Sequence, residues 1–139
     1  MMTDCFVFDT NILVSAALRR NSLPREALDK ALLHGRILVS EETVSELREV
    51  LFRPKFDKYV SIETRLAFLT TLLSEAEEVL ITDQIIMCRD PKDDKFLDVA
   101  VNGGAVCIIS GDNDLLVLHP FREIPILVPR DFLNLGWRR

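Results

Sequence analysis

The sequence predicts an α/β fold: a three-layer α/β/α arrangement around a five-stranded parallel sheet. Two observations carry this. Short apolar runs such as Phe6-Val7-Phe8, Ile37-Leu38-Val39 and Ala105-Val106-Cys107-Ile108-Ile109 read as strands buried on both faces. Between them lie amphipathic segments at helical spacing, so strands and helices alternate as in right-handed βαβ units. No run approaches the ~20 apolar residues of a membrane-spanning helix.

The elements follow in order. Residues 4–8 read as a buried strand ending at Asp9-Thr10-Asn11, and a short helix occupies 12–18. The polar break Arg19-Arg20-Asn21-Ser22 precedes a helix over 23–34. Pro24 suits its first turn, Leu23, Ala27, Leu28, Ala31 and Leu32 share one face, and Gly35 is its stop. Ile37 to Val39 is the second strand. Ser40 caps a helix over 41–52, where Glu41 and Glu42 suit the positive end and Val44, Leu47 and Leu51 form the core stripe. Pro54 ends it, and Lys55 to Tyr59 make one turn. The helix over 62–77 is expected to turn Ile62, Leu66, Leu69, Leu72 and Leu73 inward. Val79 to Ile81 is the third strand, and 82–92 a loop. A helix over 93–102 stops at Gly103-Gly104, the fourth strand spans 105–109, and a short helix lies around 112–117. Ile124 to Val128, interrupted by Pro125, suits an edge strand. Pro129 opens a last helix through Leu135, and Trp137-Arg138-Arg139 is a tail.

A chain of 139 residues fits one domain, 1–139. At this size roughly 68–70% of the unfolded surface is buried, so neither a disulfide nor a zinc staple is needed. Cys5, Cys88 and Cys107 show no CxxC spacing and read as reduced thiols, and His34 and His119 stand apart from them as structural or exposed residues. Met1-Met2-Thr3-Asp4 lacks a basic leader region, so a cytoplasmic protein with no membrane partner is expected. The net charge of −5 lacks the basic footprint of a non-specific nucleic-acid binder, although an acidic metal site would account for part of it.

Four acids stand where chemistry is expected. Asp9 ends the first strand and Asp112 lies just past the fourth, and in open α/β sheets sites form beyond the carboxyl ends of strands. Asp94 opens a helix beside Asp93 and shares a face with Asp98, one turn on; Glu46 lies within the third helix. Each has an ordinary reading alone: Asp9, Asp112 and Asp114 as caps or turn residues, one of Asp93-Asp94 as a cap, Asp94 and Asp98 as a solvated face with Lys95, Glu46 as surface charge. Together, several carboxylates around one crevice cannot all ionise unaided, and all-oxygen donors select Mg²⁺ or Mn²⁺ over zinc.

At this point the chain resembles the PIN domain (PilT N-terminal) family, the nuclease fold of many prokaryotic toxins of toxin–antitoxin systems (VapC-like). The residues that carry the resemblance are Phe6-Val7-Phe8-Asp9-Thr10-Asn11, then Ser40 with Glu46-Leu47 and Val50-Leu51. Asp90-Pro91-Lys92-Asp93-Asp94-Lys95-Phe96-Leu97, Ser110-Gly111-Asp112-Asn113-Asp114 and Pro129-Arg130-Asp131-Phe132-Leu133 follow in the family's order. The resemblance implies strand order 3-2-1-4-5, which sets strands one and four side by side. It also implies Mg²⁺- or Mn²⁺-dependent endoribonuclease activity on single-stranded RNA. By motif, Asp9, Glu46, Asp94 and Asp112 are the catalytic, metal-binding acids, Asp114 is an auxiliary and Asp98 a further candidate. Thr10, Asn11 and Ser110 would orient them by hydrogen bonds. A separate small antitoxin protein and a homodimer are implied as partners.

Arg19, Arg20, Arg53 and Lys55, with Lys58, Arg138 and Arg139, could line a phosphate path or be ordinary surface charge. Rival readings are weaker. A haloacid-dehalogenase phosphatase needs a second Asp two positions after Asp9, where Asn11 stands, and a receiver domain needs an acidic pair that is missing near the first strand. The remaining alternative is a non-catalytic PIN-fold module that binds RNA or protein.

Overall fold

The computed structural model describes residues 3–136, so the expectations for Met1, Met2 and the tail Trp137-Arg138-Arg139 lie outside the described residues. Within the described residues, five parallel strands form one sheet: β1 (Asp4–Phe8), β2 (Gly35–Val39), β3 (Glu77–Glu78), β4 (Cys107–Ile109) and β5 (Ile126–Leu127), in the spatial order β3-β2-β1-β4-β5. Phe6 pairs with Ile37 on one side and Cys107 on the other, so β1 is the central strand. The order reverses between β1 and β4, which opens a crevice at their carboxyl ends.

Among the described residues, seven helices cover the sheet: α1 (Thr10–Leu18), α2 (Leu23–His34), α3 (Glu41–Leu51), α4 (Ile62–Glu75), α5 (Asp94–Gly103), α6 (Asn113–Leu116) and α7 (Pro129–Asn134). Side chains of a strand alternate between faces. Phe6 and Phe8 accordingly enter one core with Leu28, Leu47, Leu69 and Phe132, whereas Val7 enters the other with Phe96, Leu97, Ile108 and Leu115. The Phe132 ring meets Phe6 and Phe8 edge-on, at centroid distances of 5.5 and 6.5 Å. That contact docks α7 on the sheet.

Local signals explain the boundaries. Ser22 and Ser61 cap α2 and α4, and Ser40 forms a reciprocal capping box with Thr43 at 2.9 and 3.2 Å. Gly104 ends α5 with φ of 69°, a left-handed conformation that favours glycine. Gly35 is required for another reason: a Cβ there would lie 1.9 Å from the Asp4 carbonyl oxygen, at the point where β1 and β2 begin to pair. His119 is structural, its Nδ1 accepting the Ile126 amide at 2.9 Å.

Two expectations are corrected. The third strand is Glu77–Glu78, not Val79 to Ile81, and Leu80 is 84% exposed. Pairing with Leu38 and Val39 sets this edge, and the apolar residues that follow form a loop. On α4, Leu69 and Leu72 are buried, but Ile62 and Leu66 are about half exposed and Arg65 is fully buried. The Arg65 guanidinium donates to the Leu51 carbonyl at 3.0 Å and the Arg53 carbonyl at 3.5 Å, and pairs with Asp57. The carbonyls at a helix C-terminus lack intrahelical partners. Arg65 supplies them for α3, and this draws a charged residue inward on a stripe that hydrophobicity alone assigns to leucine.

Candidate metal centre

A cleft of about 210 Å³ opens where β1 and β4 end, with Asp9, Thr10, Glu46, Asp93, Asp112 and Arg53 on its walls. A larger groove of about 510 Å³ lies between α1, α2 and α4, but it is mostly apolar and apart from the acids. The convergence of carboxylates makes the small cleft the candidate site.

Asp9 is buried at the end of β1 and caps α1. Its Oδ1 accepts the Ile12 amide at 2.9 Å; its Oδ2 accepts the Ser110 hydroxyl and, at 3.3 Å, the Gly111 amide. Burial raises its pKa above the ordinary carboxylate value, against the lowering by those three donors, and the nearby Asp112 charge adds to the rise. The cap reading and the site reading of Asp9 are therefore compatible.

Ser110 also accepts the Asp112 amide at 2.9 Å, so one hydroxyl ties the end of β1 to the turn after β4. Asp112 caps α6 through the Asp114 amide, which it accepts at 2.9 Å. Around this turn, ligand oxygens of Asp93, Asp112 and Asp114 all lie within 4.8 Å of one another. Asp93 Oδ2 is buried and has no hydrogen-bond partner among the described residues. Burial, the adjacent Asp112 carboxylate and the charges of Asp90 and Asp114 push the Asp93 pKa up to about 7. An all-oxygen trio with one orphaned, half-buried acceptor fits a metal ion. Arg89 approaches the trio from outside, 3.3 Å from Asp114 on a side chain 90% exposed.

The third acid differs from expectation: the structure brings Asp93, not Asp94, to the trio. Asp94 Oδ1 accepts the Cys88 amide at 2.7 Å and the Met87 amide at 3.1 Å. Burial opposes ionisation of Asp94, yet the Cys88 and Met87 amides, the Cys88 thiol and Lys95 together lower its pKa. Asp98, one turn on, accepts the Ile85 amide at 2.6 Å. Both acids share a face as the spacing predicts, but that face pins the loop over 85–88 and lies outside the trio. Adjacent helical residues diverge by about 100°. Asp93 ends a 3-10 turn (Pro91–Asp93) just before α5, and this phase selects it over Asp94.

Glu46 lies on the cleft wall but outside the trio. Its Oε1 accepts the Thr10 hydroxyl, and its Oε2 lies 3.2 Å from Lys95 Nζ. Thr10 and Ser110 thus each hold a carboxylate, Glu46 and Asp9 respectively. Asn11 is exposed on the cleft rim. Among the expected phosphate contacts, Arg53 lines the cleft and pairs with Glu49 at 2.8 Å. Arg20 faces the apolar groove, Arg19 is exposed at the end of α1, and Lys55 stacks over Phe56 at 5.1 Å. Sequence reasoning missed Asp93 as a cleft residue and Lys95 as the partner of Glu46. The Asp93-Asp94 pair was visible, but the 3-10 turn that sets its phase was not.

A family model described as the PIN domain matches residues 5–114. The uncharacterized protein MJ1680 of Methanocaldococcus jannaschii is 34% identical over 117 residues, covering 81% of this chain and 74% of that protein. Among solved structures, PAE2754 from Pyrobaculum aerophilum matches with a TM-score of 0.62 at 16% identity, covering 94% of this chain and 88% of the other. VapBC2 from Rickettsia felis, solved with a DNA fragment from their promoter, matches with a TM-score of 0.55 at 18% identity, covering 88% and 96%. At these identities the two structures share the fold with this chain.

Proposed function

The chain belongs to the PIN-domain family, and we propose that it is a metal-dependent endoribonuclease cleaving phosphodiester bonds of single-stranded RNA. The observation that carries this reading is the orphaned Asp93 Oδ2, set beside Asp112 and Asp114 in a cleft at the sheet's switch point. Asp93, Asp112 and Asp114 would hold the ion, with Asp9 beside Asp112 as a further acid. Mg²⁺ or Mn²⁺ bound there would supply Lewis-acid activation of the phosphoryl group and of water. Asp9, fixed by three donors, keeps its carboxylate beside the reacting phosphate. Arg53 offers a guanidinium to a neighbouring phosphate of the strand. Ser110 ties the Asp9 carboxylate to the Asp112 backbone amide, and Thr10 holds Glu46 at the wall.

We further propose that residues 1–139 act as one nuclease domain and as the toxin of a two-protein pair in the cytoplasm. The fold likeness to VapBC2 supports a separate small antitoxin that covers the cleft. No helix of the described residues is long and apolar enough to cross a membrane. A homodimer is part of the same proposal. The test is cleavage of defined single-stranded RNAs with Mg²⁺ or Mn²⁺ titrated in, and Asp93→Asn as control. Metal-dependent cleavage that disappears in the variant supports the nuclease. Tight RNA binding without cleavage in either metal favours the non-catalytic binding module instead.

A further inference from the structure

The carboxylates around the cleft differ in what already neutralises them, and Asp9 is held by three hydrogen-bond donors. Ligand oxygens of Asp93, Asp112 and Asp114 lie within 4.8 Å of one another, and Arg89 reaches Asp114 from a side chain that is 90% exposed. Glu46 stands apart and faces Lys95, whose side chain is 7% exposed. Burying an ammonium group is costly unless partners take its hydrogen-bond donors. Here the partners are Glu46 Oε2 at 3.2 Å and the Lys92 carbonyl oxygen. Lys92 belongs to the 3-10 turn that carries Asp93. The ammonium group therefore sits between the Glu46 carboxylate of α3 and the turn that presents the trio. Thr10 closes the other Glu46 oxygen.

Resting on the metal-dependent reading above, we infer that Lys95 takes the place of a second divalent ion at Glu46, so that the cleft binds one metal ion, on Asp93, Asp112 and Asp114. Glu46 is then a positioning residue: with Lys95 it holds the Pro91–Asp93 turn against α3 and makes no bond to the metal. A fixed ammonium contributes a single positive charge without ligand exchange. It offsets repulsion among the acids and leaves the trio free to coordinate.

Counting bound Mn²⁺ separates this role from a purely structural strap. Mn²⁺ is titrated at pH 7.5 by calorimetry, with free Mn²⁺ followed in parallel by electron paramagnetic resonance. Wild type is expected to bind one Mn²⁺ per chain, Lys95→Arg also one, and Lys95→Met two, because removing the ammonium frees Glu46 as a ligand. Glu46→Gln, an independent variant should Lys95→Met not fold, is expected to keep one Mn²⁺ with affinity within about threefold of wild type, whereas Asp112→Asn loses at least about tenfold. Two ions in wild type, one ion in folded Lys95→Met, or loss of the ion in Glu46→Gln each overturns the Lys95 role while leaving a metal-dependent nuclease standing. A wild-type chain that binds no Mn²⁺ overturns both readings.

Discussion

Asp93 and Asp94 are adjacent in the chain, yet the Asp93 carboxylate joins Asp112 and Asp114 while Asp94 Oδ1 accepts the amides of Cys88 and Met87. One acid serves the cleft and its neighbour serves the loop. Their amide variants are expected to fail in different ways. Asp93→Asn removes a repelled carboxylate, so the metal-free protein gains about 1 kcal/mol, or roughly 3–5 °C in Tm, and loses metal-dependent cleavage. Asp94→Asn weakens a charge-assisted cap on two amides and costs about 1–2 kcal/mol. It reduces cleavage through the loosened loop, and metal-induced stabilisation persists. Thermal melts with and without Mn²⁺ check both. Equal loss of the Mn²⁺ shift in the two variants would contradict this division of labour.

The raised pKa of Asp93 gives stability a defined pH dependence. Its ordinary value is 3.8, and in the fold it is pushed up to about 7. Between these values the native state holds a proton that the unfolded chain has released, so stability falls as pH rises through this window. Metal-free protein is therefore expected to melt at a higher temperature at pH 5.5 than at pH 7.5. A bound divalent ion reverses the preference by favouring the carboxylate, so the Mn²⁺-induced rise in Tm is larger at pH 7.5. Melts at the two pH values, with chelator or Mn²⁺, test the sign. Asp93→Asn should flatten the dependence.

Ser110 joins two acids, donating to Asp9 and accepting the Asp112 amide. Ser110→Ala removes a donor that lowers the Asp9 pKa, and so raises that pKa further. It also leaves the Asp112 amide without this acceptor. The expected cost is about 1–2 kcal/mol in urea unfolding. The acid limb of the cleavage profile is expected to move to higher pH. Ser110→Thr, which keeps a hydroxyl, should restore the pH profile more fully than the stability, because its extra methyl enters a fully buried position.

The fold was legible wherever local chemistry decides the structure. The run Phe6-Val7-Phe8 closed by Asp9, the Ser40 cap and the Gly104 stop each needs only neighbouring residues to be understood. The third strand was not legible, because Val79 to Ile81 has strand composition whereas pairing with Leu38 and Val39 selects Glu77-Glu78. In the cleft, Asp9 and Asp112 follow from strand ends. Asp93 depends on the phase of a turn, and the Lys95–Glu46 contact spans 49 residues, so neither is written in local spacing. Arg65 is the same lesson in the core. The stripe on α4 reads as leucine, but unmet carbonyls on another helix decide which side chain turns in.

Arg65 accordingly gives the sharpest stability prediction. Its guanidinium is fully buried, stacks 5.8 Å from the Phe52 ring and donates to carbonyls at the end of α3. Arg65→Met keeps an apolar stem of similar length and removes every donor. The Leu51 carbonyl is then buried without this partner, and Asp57, half exposed, turns to solvent. The expected loss is about 2–3 kcal/mol, less than for a pair buried on both sides. Arg65→Lys restores one charge but not the fork that reaches the carbonyls of Leu51, Arg53 and Ser61 and the Asp57 carboxylate, so it should recover only part of the loss. Chemical denaturation of the three proteins checks the order. Because Arg53 follows the anchored end of α3 and lines the cleft, Arg65→Met should also weaken RNA binding, with Mn²⁺ affinity unchanged. A variant as stable as wild type would show that the α3 carbonyls find other donors.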